Sequence, residues 1–242
     1  MSWSAKSYLK FAMHHQIVSL WQIANWITYT GDTSNIFDLQ SGSIVDLGAG
    51  PGHISHMVAV LRGQVIDAAV QNEEFMHLSQ SLPLPRQLLA PELVRLHIDP
   101  DGELSWLEQP ARMVFCYASL HEFHDPALVI RQAYDKLAPE GIMLVVDTMR
   151  ECTTEVERLL EASTLSPAYR RAVLETFASS LSLEEVREIF SLLSKNALVG
   201  PLIIDDELLF ESAINLPVEI HESEGISFSR PTLFSALCFK EK

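Results

Sequence analysis

The stretch "IVDLGAGPGHIS", residues 44–55, constrains the fold more than any other part of this chain. A short apolar run ends in three glycines at alternate positions, Gly48, Gly50 and Gly52, and then gives way to a helical pattern. Glycine takes left-handed backbone conformations at little cost, so a chain written this way leaves a buried strand, turns sharply and enters a helix. That is one βα unit, and the question is whether the rest of the sequence continues it.

It does. "SIVDLG" reads as a first strand, followed by a helix from about Gly52 to Leu61. "QVIDAAV" is a second strand, with a helix from about Asn72 to Ser81 behind it. Pro83, Pro85 and Pro91 make "SLPLPRQLLAPE" a loop or broken helix before a third strand around "LVRLHI"; "RMVFCYA" is the fourth. Asp125 followed by Pro126 is an N-cap with proline at the first helical position, and Ala127–Leu137 fills a helix closed by Pro139 and Gly141. "IMLVVD" is a fifth strand whose unbroken hydrophobicity suits a position covered on both faces. Strands alternating with crossover helices predict an α/β fold with a parallel sheet.

The flanks read differently. Aromatic and aliphatic residues at mixed spacing between 3 and about 30 (Tyr8, Phe11, Ile17, Trp21, Ala24, Ile27) predict one or two helices buried on one face, ending near Gly31 and Asp32. Residues 152–195 predict about three helices, with Thr154 and Glu157, and Ser182 and Glu185, at capping-box spacing. The segments "GPLIIDDELLF" and "TLFSALCFK" return to strand composition and predict antiparallel edge strands. The organisation expected is therefore a helical cap over 1–40, a Rossmann-like core over 41–150, a helical insertion over 151–197 and strands completing the sheet over 198–242, all in one domain.

Charge narrows the partners. With 32 acidic and 17 basic side chains the net charge is −15, which repels phosphate backbones and anionic lipid headgroups, so no nucleic acid is expected as a partner. The uncharged run from Phe11 to Gly31 is broken by His14, His15, Gln16, Ser19, Gln22 and Asn25, and no membrane insertion is expected from it. Cys116, Cys152 and Cys238 are odd in number and widely separated, which predicts reduced thiols in a cytoplasmic protein.

The glycine spacing is not the G-x-G-x-x-G of dinucleotide folds, and Asp46, two residues before the first glycine, offers a carboxylate to a ligand ammonium group that NAD lacks. Here the sequence resembles the class I S-adenosylmethionine (SAM) dependent methyltransferases, whose first motif reads acid-x-Gly-x-Gly-x-Gly. A second segment, "YASLHEFHDPALVIRQAYDKLAPEGIMLVVD" at 117–147, is similar to the small-molecule branch typified by quinone-biosynthesis methyltransferases, where "LHE" or "LHH", "DP" and "L-x-P-x-G" recur. The resemblance spans roughly residues 40–150 and implies SAM as cofactor. It implies that Gly48, Ala49, Gly50 and Gly52 pack against the methionine part of SAM, with Asp46 near its amino group or orienting the turn. Tyr117, opening the second motif, joins the cofactor candidates. Asp99 matches the acid after the third strand that often holds the adenine amino group; the alternative is a turn aspartate before Pro100.

The second strand departs from the pattern. Members of the family commonly end it with an acid that takes both ribose hydroxyls, and here Ala69 or Val70 stands at that place. Asp67 falls mid-strand, where an unpaired carboxylate is costly, so Gln71 or Asn72 is left to offer polar contacts.

Methyl transfer is an in-line displacement, in which the protein chiefly aligns donor and acceptor. His121, in "SLHEFHDP" after the fourth strand, is the candidate for base or substrate contact, against the simpler role of a loop hydrogen bond; Glu122 and His124 read as structural or solvent-facing. His53 with His56, and His121 with His124, are three apart and lack a third ligand, so no metal site is expected. Trp3, Tyr8, Trp21 and Trp26 read first as packing residues, one or two of them also touching substrate; Tyr169, Arg170 and Arg171 in the insertion are acceptor contacts of low specificity. The function expected is methyl transfer from SAM to a small-molecule acceptor by a chain compatible with a homodimer. The alternative is a protein of the same fold that binds its ligand without transfer.

Overall fold

The computed structural model describes residues 17–33, 42–82, 84–163, 166–202 and 233–241. Its alternating elements are α1 (Ile17–Thr33), β1 (Ser43–Leu47), α2 (His53–Arg62), β2 (Ile66–Val70), α3 (Glu73–Gln80), β3 (Val94–Ile98), β4 (Ala111–Tyr117), α4 (Pro126–Asp135) and β5 (Leu137–Thr148). There follow α5 (Thr153–Glu161), α6 (Pro167–Ser179), α7 (Leu183–Leu193), β6 (Leu198–Pro201) and β7 (Leu233–Phe239). The strands form one seven-stranded sheet in the order β3-β2-β1-β4-β5-β7-β6.

Strands β1 to β5 pair in parallel, while β7 runs antiparallel to both β5 and β6. The expected antiparallel strand is thus present near the carboxyl-terminal edge of the sheet. It lies one place in from the edge, because β6 adds to its outer side.

Side chains alternate across the strands, and both faces are apolar, which makes the core strands read as continuous hydrophobic runs. Ile44, Met113, Phe115, Ile142 and Leu144 point to one face, where α1 and α2 pack on them through Leu20, Trp21, Ile27, Met57 and Val58. Val45, Val114, Cys116, Met143 and Val145 point to the other, against Val129 and Ile130 of α4, Val156 of α5 and Val186 and Phe190 of α7. The result is three layers, helix, sheet, helix.

Local chemistry decides most boundaries. Asp125 caps α4 by accepting from the Leu128 N–H at 2.9 Å, with Pro126 at the first turn. Ser182 and Glu185 form the expected reciprocal capping box at the start of α7. The Thr154–Glu157 box does not form: the turn Arg150–Cys152 runs straight into α5, moving the N-cap two residues earlier, to Cys152, which supplies no side-chain cap. Pro139 and Gly141 do not close α4 directly. The chain is already paired as β5 at Leu137, and Glu140, at φ 65°, lies where the register against β4 shifts. Trp3, Tyr8 and most of the segment between β6 and β7 lie outside the described residues.

Candidate functional site

The strand order places β1 between β2 and β4, so the connections from β1 and β4 leave the sheet in opposite directions and open a crevice at their carboxyl ends. The glycine turn occupies that crevice. Gly48, Gly50 and Gly52 all have positive φ, at 72°, 52° and 87°. Between them the Ala49 N–H donates to the Ala69 carbonyl of β2, and the Gly52 N–H donates back to the Ala49 carbonyl, both at 2.8 Å. A Cβ on Gly48 would stand 2.7 Å from the Ser119 Cβ, so the turn tolerates no side chain there.

Gly52 is the N-cap of α2 and supplies no capping group. The strand does so instead. Asp46, buried in β1, accepts from the Ser55 hydroxyl at 2.6 Å and from the Ser55 backbone N–H in the first turn of α2. Burial pushes the Asp46 carboxyl up to about 7, against the pull of the two Ser55 hydrogen bonds. Of the two roles open to Asp46, orienting the turn is the one its contacts serve.

The loop after β4 faces this turn. Tyr117 is half-buried against the α1–α2 layer, Ala118 adopts a left-handed conformation at φ 49°, and the Ser119 hydroxyl donates to the Gly48 carbonyl. Strained non-glycine backbone of this kind is held in place by its surroundings and gathers at working sites. His121 follows, with its side chain buried. Its Nδ1 is 2.8 Å from Oδ1 of Asp147 at the end of β5, its backbone N–H donates to the other Asp147 oxygen at 3.0 Å, and its Nε2 is 3.5 Å from Glu122. Burial alone would lower its basicity, but the Asp147 and Glu122 carboxylates outweigh that and raise it to about 10. The two carboxylates thus face the two ring nitrogens, Asp147 at Nδ1 and Glu122 at Nε2, and both favour the protonated ring.

At the end of β2, Val70 is fully buried where the acid would stand. Asn72 is committed to capping α3, accepting from the Phe75 N–H at 3.0 Å. Asp67 is not at the site: it pairs with His97 of β3 at 3.0 Å, which resolves its burial, and His97 stacks on Trp106 with ring centroids 3.8 Å apart. Gln71 is different. Its Oε1 is buried and has no hydrogen-bond partner among the described residues, directly after the strand and at the carboxyl edge.

Asp99 is occupied by its own loop, accepting from the Glu103 and Leu104 N–H groups at 3.0 and 2.9 Å and from Trp106 Nε1 at 3.1 Å. That is the turn-aspartate role. Burial, with His56 beside it, pushes His53 down to about 4, and burial lowers His56, whose Nδ1 accepts from the Ala90 N–H at 3.1 Å. His124 is exposed. Trp21 and Trp26 pack in the α1–α2 layer. In the insertion, α6 packs against the Leu120–Glu122 turn, which brings Tyr169 and Arg170 onto the element covering the site, while Arg171 is exposed.

Three residues of this site are not among the candidates read from the sequence: Ser55, Ser119 and Asp147. The signal for Asp147 was an aspartate ending an otherwise apolar strand at the carboxyl edge.

No protein-family model and no curated protein matches the chain. Many solved structures share its fold. The plantazolicin methyltransferase BpumL in complex with SAH, the demethylated product of SAM, is 15% identical, with 96% of this chain and 88% of that one covered at a TM-score of 0.69. The plantazolicin methyltransferase BamL, bound to SAH and a triazolic desmethylPZN analog, gives 13%, 98%, 91% and 0.69 in the same terms. The SAM-dependent methyltransferase TM1293 of Thermotoga maritima gives 16%, 98%, 95% and 0.58. The fold is the Rossmann-like fold of class I SAM-dependent methyltransferases.

Proposed function

We propose that this chain, which carries the class I methyltransferase fold, binds SAM at the glycine turn of β1 and transfers its methyl group to a small-molecule acceptor. The observation that carries the reading is the turn itself: three glycines at alternate positions, Gly48, Gly50 and Gly52, all in left-handed conformation, at the strand-order reversal, walled by the Ser119 loop. Backbone N–H groups and the start of α2 meet a ligand there without side chains in the way.

The residues present fit the group. Gly48, Ala49, Gly50 and Gly52 would lie against its amino-acid part. The buried, unsatisfied Oε1 of Gln71 would accept from an adenosine hydroxyl, taking over from the missing acid. When bound, SAM supplies a sulfonium methyl open to displacement. This chain's own contribution is alignment, with His121 as a charged hydrogen-bond donor at the acceptor side rather than as a base.

Titration calorimetry with SAM and, separately, with SAH tests the reading. Micromolar binding of both is expected, and no binding of either overturns it. The replacement of the ribose acid by Val70 favours a second reading, a protein that holds SAM or SAH without transferring methyl; tight SAH binding with no methyl transfer to any compound of an acceptor panel would support it. Among the described residues no helix is long and apolar enough to cross a membrane.

A further inference from the structure

The loop after β4 and the end of β5 are joined more tightly than packing requires. Asp147, 1% exposed, accepts from four groups: the His121 backbone N–H, His121 Nδ1, the Thr148 N–H at 2.7 Å and the Thr148 hydroxyl at 3.3 Å. The Thr148 hydroxyl also shares a hydrogen bond with Ser180, which lies at the end of α6 and is 2.7 Å from the Thr176 carbonyl. A continuous line of buried polar groups therefore runs from the His121 ring through the sheet edge into the covering helices.

We propose that Asp147 is a positioning residue of the acceptor site: it fixes the His121 ring with Nδ1 inward and Nε2 as the remaining donor, and it ties that ring to the junction of α6 and α7. A carboxylate that binds both the backbone and the ring of one residue permits a single ring orientation, and the ring's other nitrogen then meets whatever stands across from it. That is Glu122, at 3.5 Å and partly exposed, a long contact that an oxygen of the acceptor can replace. The charged groups acting on the ring are Asp147 from β5 and Glu122 from its own turn; Cys116 in β4 below is a thiol that burial and the Asp147 and Asp46 carboxylates keep protonated.

The inference rests on the methyltransferase reading for the name of the site, but its test does not. The full chain labelled with nitrogen-15 at histidine is followed by imidazole NMR from pH 5.5 to 9. In the unmodified protein His121 is expected to stay doubly protonated throughout, with a slowly exchanging Nδ1 proton. Asp147→Asn is expected to bring its titration midpoint at least tenfold in proton concentration closer to neutrality and to shift the backbone amides of 176–182. Glu122→Gln is expected to move the midpoint less.

If His121 titrates near its ordinary value in the unmodified protein, the proposal falls without any variant being made. It also falls if Glu122→Gln moves the midpoint more than Asp147→Asn, or if Asp147→Asn leaves the 176–182 amides in place. Loss of SAH binding with the His121 behaviour intact would sink the functional reading and leave the positioning role standing; the reverse result would do the opposite.

Discussion

Asp46→Asn separates the two things the Asp46 carboxyl does, and its effect follows from where that carboxyl sits. Asparagine is the same shape and keeps an oxygen to accept from Ser55, so the first turn of α2 remains capped. What disappears is the charge. The folded protein holds this acid at about 7 rather than at 3.8, so between those values the folded state binds more protons than the unfolded one. Stability contributed by this group is greatest at low pH and declines as pH rises through 7, the loss being complete about one unit above that, the reverse of the usual carboxylate. The total is about 4 kcal/mol, from roughly three pKa units at 1.36 kcal/mol each. About half of it falls between pH 5.5 and 8.

Urea unfolding of the wild type and Asp46→Asn at half-unit steps from pH 5.5 to 8.5 should therefore show the variant gaining about 2 kcal/mol on the wild type over that range, and then no more. A difference that stays flat with pH would refute the reasoning, because it would mean that the carboxyl is ionised in the fold throughout. SAH titration at pH 8.5 supplies the functional half. If the ligand's ammonium draws on the Asp46 charge, the variant binds at least tenfold more weakly; equal affinity leaves Asp46 as the cap of α2 alone.

Gly48→Ala puts a methyl group 2.7 Å from Ser119 Cβ at φ 72°, and backbone strain plus the displaced Ser119 hydrogen bond should cost about 2–3 kcal/mol, seen as a Tm lower by roughly 5–10 °C together with lost SAH binding. Gln71→Ala should leave Tm unchanged, since its Oε1 has no partner to lose, and weaken SAH about 3–10-fold in calorimetry. Asp99→Ala orphans two backbone N–H groups and the Trp106 indole N–H, and should lower stability by roughly 2–4 kcal/mol with a red-shifted Trp106 emission.

The features legible in the sequence were those that repeat along it. Apolar runs separated by helix-length intervals yielded five strands in order, the turn glycines all proved to be left-handed, and Asp125 with Pro126, like Ser182 with Glu185, carried its cap on its face because capping acts within four residues. Roles set by distant partners were not legible. The partner of His121 is hidden until Asp147, 26 residues on, is seen against its ring; Asp67 reads as stranded until His97 arrives across a strand pair that spacing alone does not register; and the carboxylate of Asp99 is filled by a loop with no periodicity to announce it.

A common cause lies behind these cases. A carboxylate or imidazole takes its charge from the two or three groups within hydrogen-bond reach, and in a parallel sheet those groups come from neighbouring strands that the chain reaches only after a helical crossover. Asp46, Cys116 and Asp147 stand on the adjacent strands β1, β4 and β5, close enough that both carboxylates bear on the thiol, yet the chain reaches the last of them some hundred residues after the first. The site's chemistry is thus a property of the sheet's strand order. Hydrogen bonds link the end of β5 to the glycine turn of β1 by way of the loop after β4: Asp147 accepts from the His121 N–H, the Glu122 N–H donates to the Ser119 carbonyl, and the Ser119 hydroxyl donates to the Gly48 carbonyl.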